Sequence, residues 1–217
     1  PVTPSITTSI SATKETTPTI DGFAEPDSTV LLFINGSNSG ISTLSDSSTG
    51  AFSITSSELE DGNYQFTVKA TDAAGNTSSA STELALTIDT TAPEAPVITT
   101  NSFITNINTP TIEGIAEAGS AVELFSGDES LGTATADSDG NFSILSILEF
   151  SDGSYSFKVK STDAAGNESA ESSEITIEID TTPPNAPTIT TTTTTTNVTT
   201  PTIAVSYTHL RAHETPC

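Results

Sequence analysis

The sequence predicts an all-β protein built from two tandem seven-strand β-sandwiches and the start of a third. Three observations carry that prediction. Short motifs return at a long fixed step: TPTI stands at 17–20, 109–112 and 200–203, at steps of 92 and 91 residues. TDAAGN stands at 71–76 and 162–167, and DGxY at 61–64 and 152–155. A period this long marks tandem domains rather than a short-repeat solenoid. Apolar residues alternate with polar ones, as Ile175, Ile177 and Ile179 do with Glu174, Thr176 and Glu178. That period of two belongs to a half-buried strand. No segment carries a helical period, and clusters of Gly, Asn, Asp and Ser separate the alternating runs, as turns separate strands.

In repeat one, strands are expected around 30–34 and 52–54, then at Tyr64, Phe66 and Val68, and finally at Leu84, Leu86 and Ile88. Repeat two offers 122–125, 142–144, then Tyr155, Phe157 and Val159, and Ile175, Ile177 and Ile179. With the shorter strands this makes about seven per repeat, the number of a β-sandwich. The repeats are bounded at 1–92 and 93–183, with a truncated third at 184–204. IDTTAPEAP at 88–96 and IDTTPPNAP at 179–187 join each repeat to the next. Their prolines fix φ and keep the link extended. The Thr run 190–196 lies where the first strand and following loop of repeat three belong, and Thr suits strands.

From Val205 the text reads VSYTHLRAHET and no longer follows the repeat. It looks like a transposase-type sequencing adapter translated in one frame. The only Arg (Arg211), both His (His209, His213) and the only Cys (Cys217) fall in this tail. Residues 205–217 are therefore set aside from the functional argument.

DGxYxF is the sharpest fold signal. A Tyr opening the sixth strand, just after a turn, matches the tyrosine corner of immunoglobulin-like domains. Phe66 and Phe157 stand where that family often has Cys, and Leu32 and Leu124 where it has the strand-C Trp. The expected core is apolar, without a disulfide. The alternative is that Tyr64 and Tyr155 are ordinary half-buried strand residues.

The formal charge is −23 and the pI near 4.1. Such a charge argues against nucleic acid and anionic membrane surfaces and suits a cationic partner, the simplest being a metal ion. No apolar run is long enough to cross a membrane. The lack of a signal peptide and of any Met suggests a piece of a longer protein. Outside the tail there is no His, Cys or Arg, and the chain has no Trp. An enzyme is not expected: no His- or Cys-based nucleophile can be assembled, and paired carboxylates for glycoside hydrolysis lack an aromatic platform.

Taken together, TPTIEGIAEAGSAVELF, TATADSDGNFSI, DGSYSFKVKSTDAAGN and IDTTPPNAP resemble the bacterial Ig-like repeats of large surface adhesins, the stalks of biofilm-associated and type I-secreted proteins. The resemblance covers residues 1 to about 203. It implies an extracellular, cell-surface extender or adhesion region, with neighbouring repeats as partners and Ca²⁺ often held between domains.

Loop placement points to the same ion. In a seven-strand sandwich the loops at 116–120, 137–141 and 162–167 share one pole of repeat two, and Asp89 arrives there from repeat one. Asp89, Glu117, Asp137, Asp139, Asp163 and Asn167 are the expected metal ligands, with Asn141 beside them. Two carboxylates ~5 Å apart repel by roughly 3 kcal/mol at an effective dielectric of about 20. A calcium ion, taking six to eight oxygens, would remove that cost; Mg²⁺ prefers tighter octahedra, and zinc would want His or Cys. Singly, DSDGN and DAAGN also read as plain turns. Glu25, Asp27 and Asp72, with Asp46, form the poorer counterpart in repeat one. Glu58, Glu60, Glu174 and Glu178 read as solvated charges.

Two rival functions remain at this level. An adhesive module binding glycans or other surfaces would need exposed aromatics, and the Tyr and Phe residues sit at core-phase positions. Homophilic adhesion of the cadherin kind is the other, since DTTAP is similar to calcium-binding linkers there.

Overall fold

The computed structural model describes residues 1–192, 195, 197, 199–200 and 202–206. Thr193, Thr194 and Thr196 of the Thr run, and the tail 207–217, lie outside the described residues.

Repeat one has two facing sheets. β1 (Ser5–Ile6), β3 (Thr19–Phe23) and β6 (Ala51–Thr55) make the smaller one. The larger runs β2 (Ala12–Thr13), β8 (Leu84–Ile88), β7 (Gly62–Thr71), β4 (Thr29–Ile34), β5 (Ser37–Leu44). Repeat two copies this plan. Its smaller sheet is β9 (Val97–Ile98), β11 (Thr111–Ile115) and β14 (Asn141–Leu145). Its larger sheet is β10 (Phe103–Thr105), β16 (Ile175–Ile179), β15 (Gly153–Thr162), β12 (Ala121–Ser126), β13 (Glu129–Thr135).

The seven expected strands are present, with the first one broken. β1 pairs antiparallel with β3 in one sheet, and β2 pairs parallel with β8 in the other. β9 and β10 divide in the same way.

Strand phase sets the core. Ile20, Phe52 and Ile54 from the smaller sheet meet Val30, Leu32, Phe66, Val68, Leu86 and Ile88 from the larger. Repeat two packs Ile112, Phe142 and Ile144 against Val122, Leu124, Phe157, Val159, Ile177 and Ile179, and adds Leu131. Leu32, Leu124, Phe66 and Phe157 are fully buried, as expected for residues standing in for Trp and Cys. The Tyr64 hydroxyl donates back to the Glu60 carbonyl at 3.0 Å, the tyrosine-corner bond. In repeat two the Tyr155 hydroxyl meets Ser151 Oγ at 3.2 Å instead. One expectation fails: Phe is not confined to core positions. Phe23 is 50% and Phe103 43% exposed, because Phe23 ends β3 on its outward phase and Phe103 opens the edge strand β10.

The third segment keeps the pairing of the first two. β17 (Thr188–Ile189) and β18 (Val205–Ser206) are antiparallel, with Ile189 opposite Val205. Ile6 and Ile98 face Gly22 and Gly114 in the same way.

Candidate functional site

The candidate site is the seam between the trailing pole of repeat one and the leading pole of repeat two. Three loops build the leading pole. Ala116 N–H donates to the Gly140 carbonyl at 2.9 Å, and Gly119 N–H to the Ala136 carbonyl at 3.0 Å. These bonds tie the 116–120 loop to the 137–141 loop. Gly140 has φ +83°, and a Cβ there would lie 2.5 Å from the Ala116 carbonyl oxygen, so the turn needs glycine. The third loop, 163–167, follows β15, whose last residue Thr162 pairs with Ala121 of β12.

Each of the two Asp-initiated loops is closed by its own side chains. Asp163 Oδ1 accepts from Ala165 N–H and Asn167 N–H, and Oδ2 accepts from Asn167 Nδ2, at 2.8–2.9 Å. Burial, the largest influence on Asp163, pushes its pKa up. Donation by the Asn167 side chain and by the Asn167, Ala165 and Gly166 amides outweighs it and holds the carboxyl below its ordinary range. Asp137 is likewise lowered, first by Asn141 N–H. It accepts from Asp139 N–H at 2.9 Å and Asn141 N–H at 2.8 Å.

Among the described residues, three hydrogen bonds join repeat one to this pole. Asn167 Nδ2 also donates to the Asp89 carbonyl at 2.8 Å. Lys14 N–H donates to the Ala165 carbonyl at 3.1 Å, and Lys14 Nζ to the Gly166 carbonyl at 2.6 Å. The same loop in repeat one is a built-in control. Asp72 and Asn76 make the same internal bonds. There Ala74, Gly75 and Asn76 are exposed, whereas Ala165 and Gly166 are half-buried and Asn167 is buried. The seam accounts for the difference.

Two bonds hold Asp89 where it enters the seam. Its N–H donates to the Thr13 carbonyl at 3.1 Å and its Oδ1 accepts from Thr91 N–H at 3.0 Å. Asp61 clasps the next residues: its Oδ1 accepts from Thr90 N–H and Oγ1, and its Oδ2 from Thr91 Oγ1, at 2.9–3.3 Å. Asp152 does the same for Thr181 and Thr182 at 2.6–2.8 Å. The carboxylate of each DGxY motif therefore aims the IDTT segment that leaves its repeat.

The structure brings together Asp89, by its carbonyl, with Asp163 and Asn167. It does not bring in the others. Glu117 lines a hollow with Glu94 and Ala95 of the link, and the Asp137 carboxylate is engaged within its own turn by the Asp139 and Asn141 amides. Among the described residues no group of three or more His, Cys, Asp or Glu side chains is arranged to hold a metal ion. Asn167 also turns its amino group, a donor, toward Asp89. As arranged, the six residues do not fit the oxygen cage of a calcium ion.

Sequence reasoning missed Lys14, Asp61 and Asp152. The aspartates could have been found: Asp61 precedes Thr90 by 29 residues, and Asp152 precedes Thr181 by 29. The signal for Lys14 is a single positive charge in an acidic stretch.

The sequence matches the family described as Bacterial Ig-like domain over residues 6–90 and again over 98–181. The chain belongs to that family. Among curated proteins, this bacterial Ig-like chain is 34% identical over 155 residues to Chitinase A1 of Niallia circulans, a match covering 66% of the chain and 20% of the chitinase. The chain thus spans about a fifth of that relative's length. Among solved structures it is similar to the fibronectin(III)-like modules of Clostridium thermocellum CbhA, with TM-score 0.54 and 14% identity over 80% of this chain and 92% of that one. It also matches the tetra-tandem repeat in the extending region of a large adhesion protein, at TM-score 0.35 and 20% identity over 83% of this chain and 50% of that one. No helix among the described residues is long and apolar enough to cross a membrane.

Proposed function

We propose that this chain is a non-catalytic extender from a bacterial cell-surface protein, in which each Ig-like repeat sets the direction of the next. The observation that carries this reading is the direct bonding across the seam, from Asn167 to Asp89 and from Lys14 to Ala165 and Gly166. A spacer needs its repeats held in one relative orientation, and these contacts, with the Asp61 clasp on the link, supply it. Near-identical motifs in both repeats support a generic scaffold. The chitinase relative supports the same role, because the match occupies a minor part of a much longer protein. The extracellular surface is the location this reading implies.

Small-angle scattering on the whole chain tests it. The expected profile is that of two domains at one interdomain angle; a broad spread of angles would sink the reading. A second reading, attachment to a polysaccharide or to glycans on other cells, is favoured by exposed Phe103 and Ile104 beside β16 and by the chitinase's name. Co-sedimentation with insoluble chitin or cellulose separates the two, since an extender stays in solution.

A further inference from the structure

We infer that Lys14 is the cation of the seam: its ammonium and N–H, with the Asn167 amide, latch repeat two onto repeat one without a metal ion. This rests on the extender reading and names the device that would hold it.

Charge favours such a device. The chain carries 28 acidic and 5 basic residues, so a positive charge at the seam offsets repulsion between the two acidic repeats. The lysines of the two repeats each have a definite place. Lys69 lies over the Phe33 ring, 5.1 Å from its centroid. Lys158 pairs with Glu171 at 2.9 Å and Lys160 pairs with Glu168, both inside repeat two. Lys14 alone among them bonds across the seam.

Lys14 also takes the oxygens that a calcium ion would want. The carbonyls at 165 and 166 project from the TDAAGN loop toward repeat one and accept from Lys14 Nζ and N–H. Its positive charge acts on Glu168 of the same pole. The third oxygen of the seam, the Asp89 carbonyl, accepts from Asn167. Donors from protein therefore meet carbonyl oxygens on both sides of the seam. The short link keeps the poles at high effective concentration, so a few exposed contacts suffice to hold the joint.

The latch is local to this seam. Thr13 pairs with Ile88 and Thr105 with Ile179, so the residue following in repeat two, Asn106, occupies the place of Lys14 and carries no charge. A repeat following residue 183 would meet a pole without this lysine.

Amide relaxation by NMR on the full chain tests the latch, in calcium and in chelator. The wild type is expected to give both repeats one shared tumbling time in either condition. Lys14→Met, which keeps the aliphatic stem, should lose it, with separate tumbling times and loss of exchange protection at the Asn167 side-chain amide; Lys14→Arg should restore both. Three results overturn the latch: chelator uncoupling the wild type, Lys14→Met remaining coupled in chelator, or Lys14→Arg behaving as Lys14→Met. A wild type with independent repeats in every condition overturns the extender reading as well, whereas rigid repeats indifferent to Lys14 overturn only the latch. Lys14 is exposed, so its replacement leaves both cores intact, and thermal unfolding checks this.

Discussion

The Ser161 hydroxyl is buried with no hydrogen-bond partner. The strand register places Ala70 at the same point in repeat one, opposite Val30 as Ser161 is opposite Val122. An unsatisfied buried hydroxyl costs about 1–3 kcal/mol. Ser161→Ala should therefore stabilise repeat two by about 1 kcal/mol, read as a higher urea midpoint at unchanged slope. Gly114 marks the opposite case. A Cβ there would sit 2.4 Å from both Phe142 Cζ and the Val97 carbonyl oxygen. Gly114→Ala should lower stability by roughly 1–3 kcal/mol, as overpacking does, and Gly22→Ala should do the same beneath Phe52. Period-two alternation made the buried faces of Phe66, Val68, Phe157 and Val159 legible in the sequence. It could not show that Gly22 and Gly114 lie under the aromatic ring of a paired strand, Phe52 and Phe142, because pairing between strands far apart in sequence leaves no trace in local order.

At the scale of single elements, the strands were legible and their seams were not. The alternation of Leu84, Leu86 and Ile88 located β8, but two-residue pieces such as β1 and β2 are too short to carry a period. The division of the first strand between sheets was hidden for that reason. Three loops were correctly placed at one pole by counting strand directions, yet side-chain direction within them was not readable. Asp137 turned inward to its own amides, and Asn167 offered a donor instead of an oxygen. These inward bonds give the loops a pH response. Asp46, held far below the usual carboxylate range first by the Ser48 hydroxyl, and Asp72, Asp137 and Asp163 are all lowered. A folded pKa below the unfolded value means that the unfolded chain binds protons first on acidification. Stability is thus complete above the ordinary aspartate value of 3.8 and declines as pH falls through the lower folded values. Thermal midpoints measured on either side of that value should show the drop, and Asp46→Asn should flatten part of it. The clasp gives another prediction: Asp61→Ala removes the acceptor for Thr90 N–H, so that amide should exchange faster while the amides of β7 keep their protection. Unchanged exchange at Thr90 would rule the clasp out.

Over the whole molecule, the repeats share one architecture and differ in their filling. Phe150 packs on Tyr155 and Phe157 at 4.5 and 5.4 Å between ring centroids, where repeat one has Leu59, and Leu131 adds a further buried side chain. Burying one more leucine contributes about 1.5–3 kcal/mol. Against this stands the unpartnered Ser161 hydroxyl of the same repeat, so it is in Ser161→Ala that repeat two should unfold at the higher temperature, giving two calorimetric transitions with repeat one melting first. The broken first strand bears on load. Because β2 runs parallel to β8 at their shared edge, the incoming and outgoing ends of repeat one lie side by side and point the same way. Tension on the two ends drags these strands past each other, so the Thr87-to-Ser11 and Asp89-to-Thr13 bonds are strained together in shear rather than unzipped in turn. β10 and β16 repeat the arrangement, and each bead of such a string carries its mechanical clamp where the force enters and leaves.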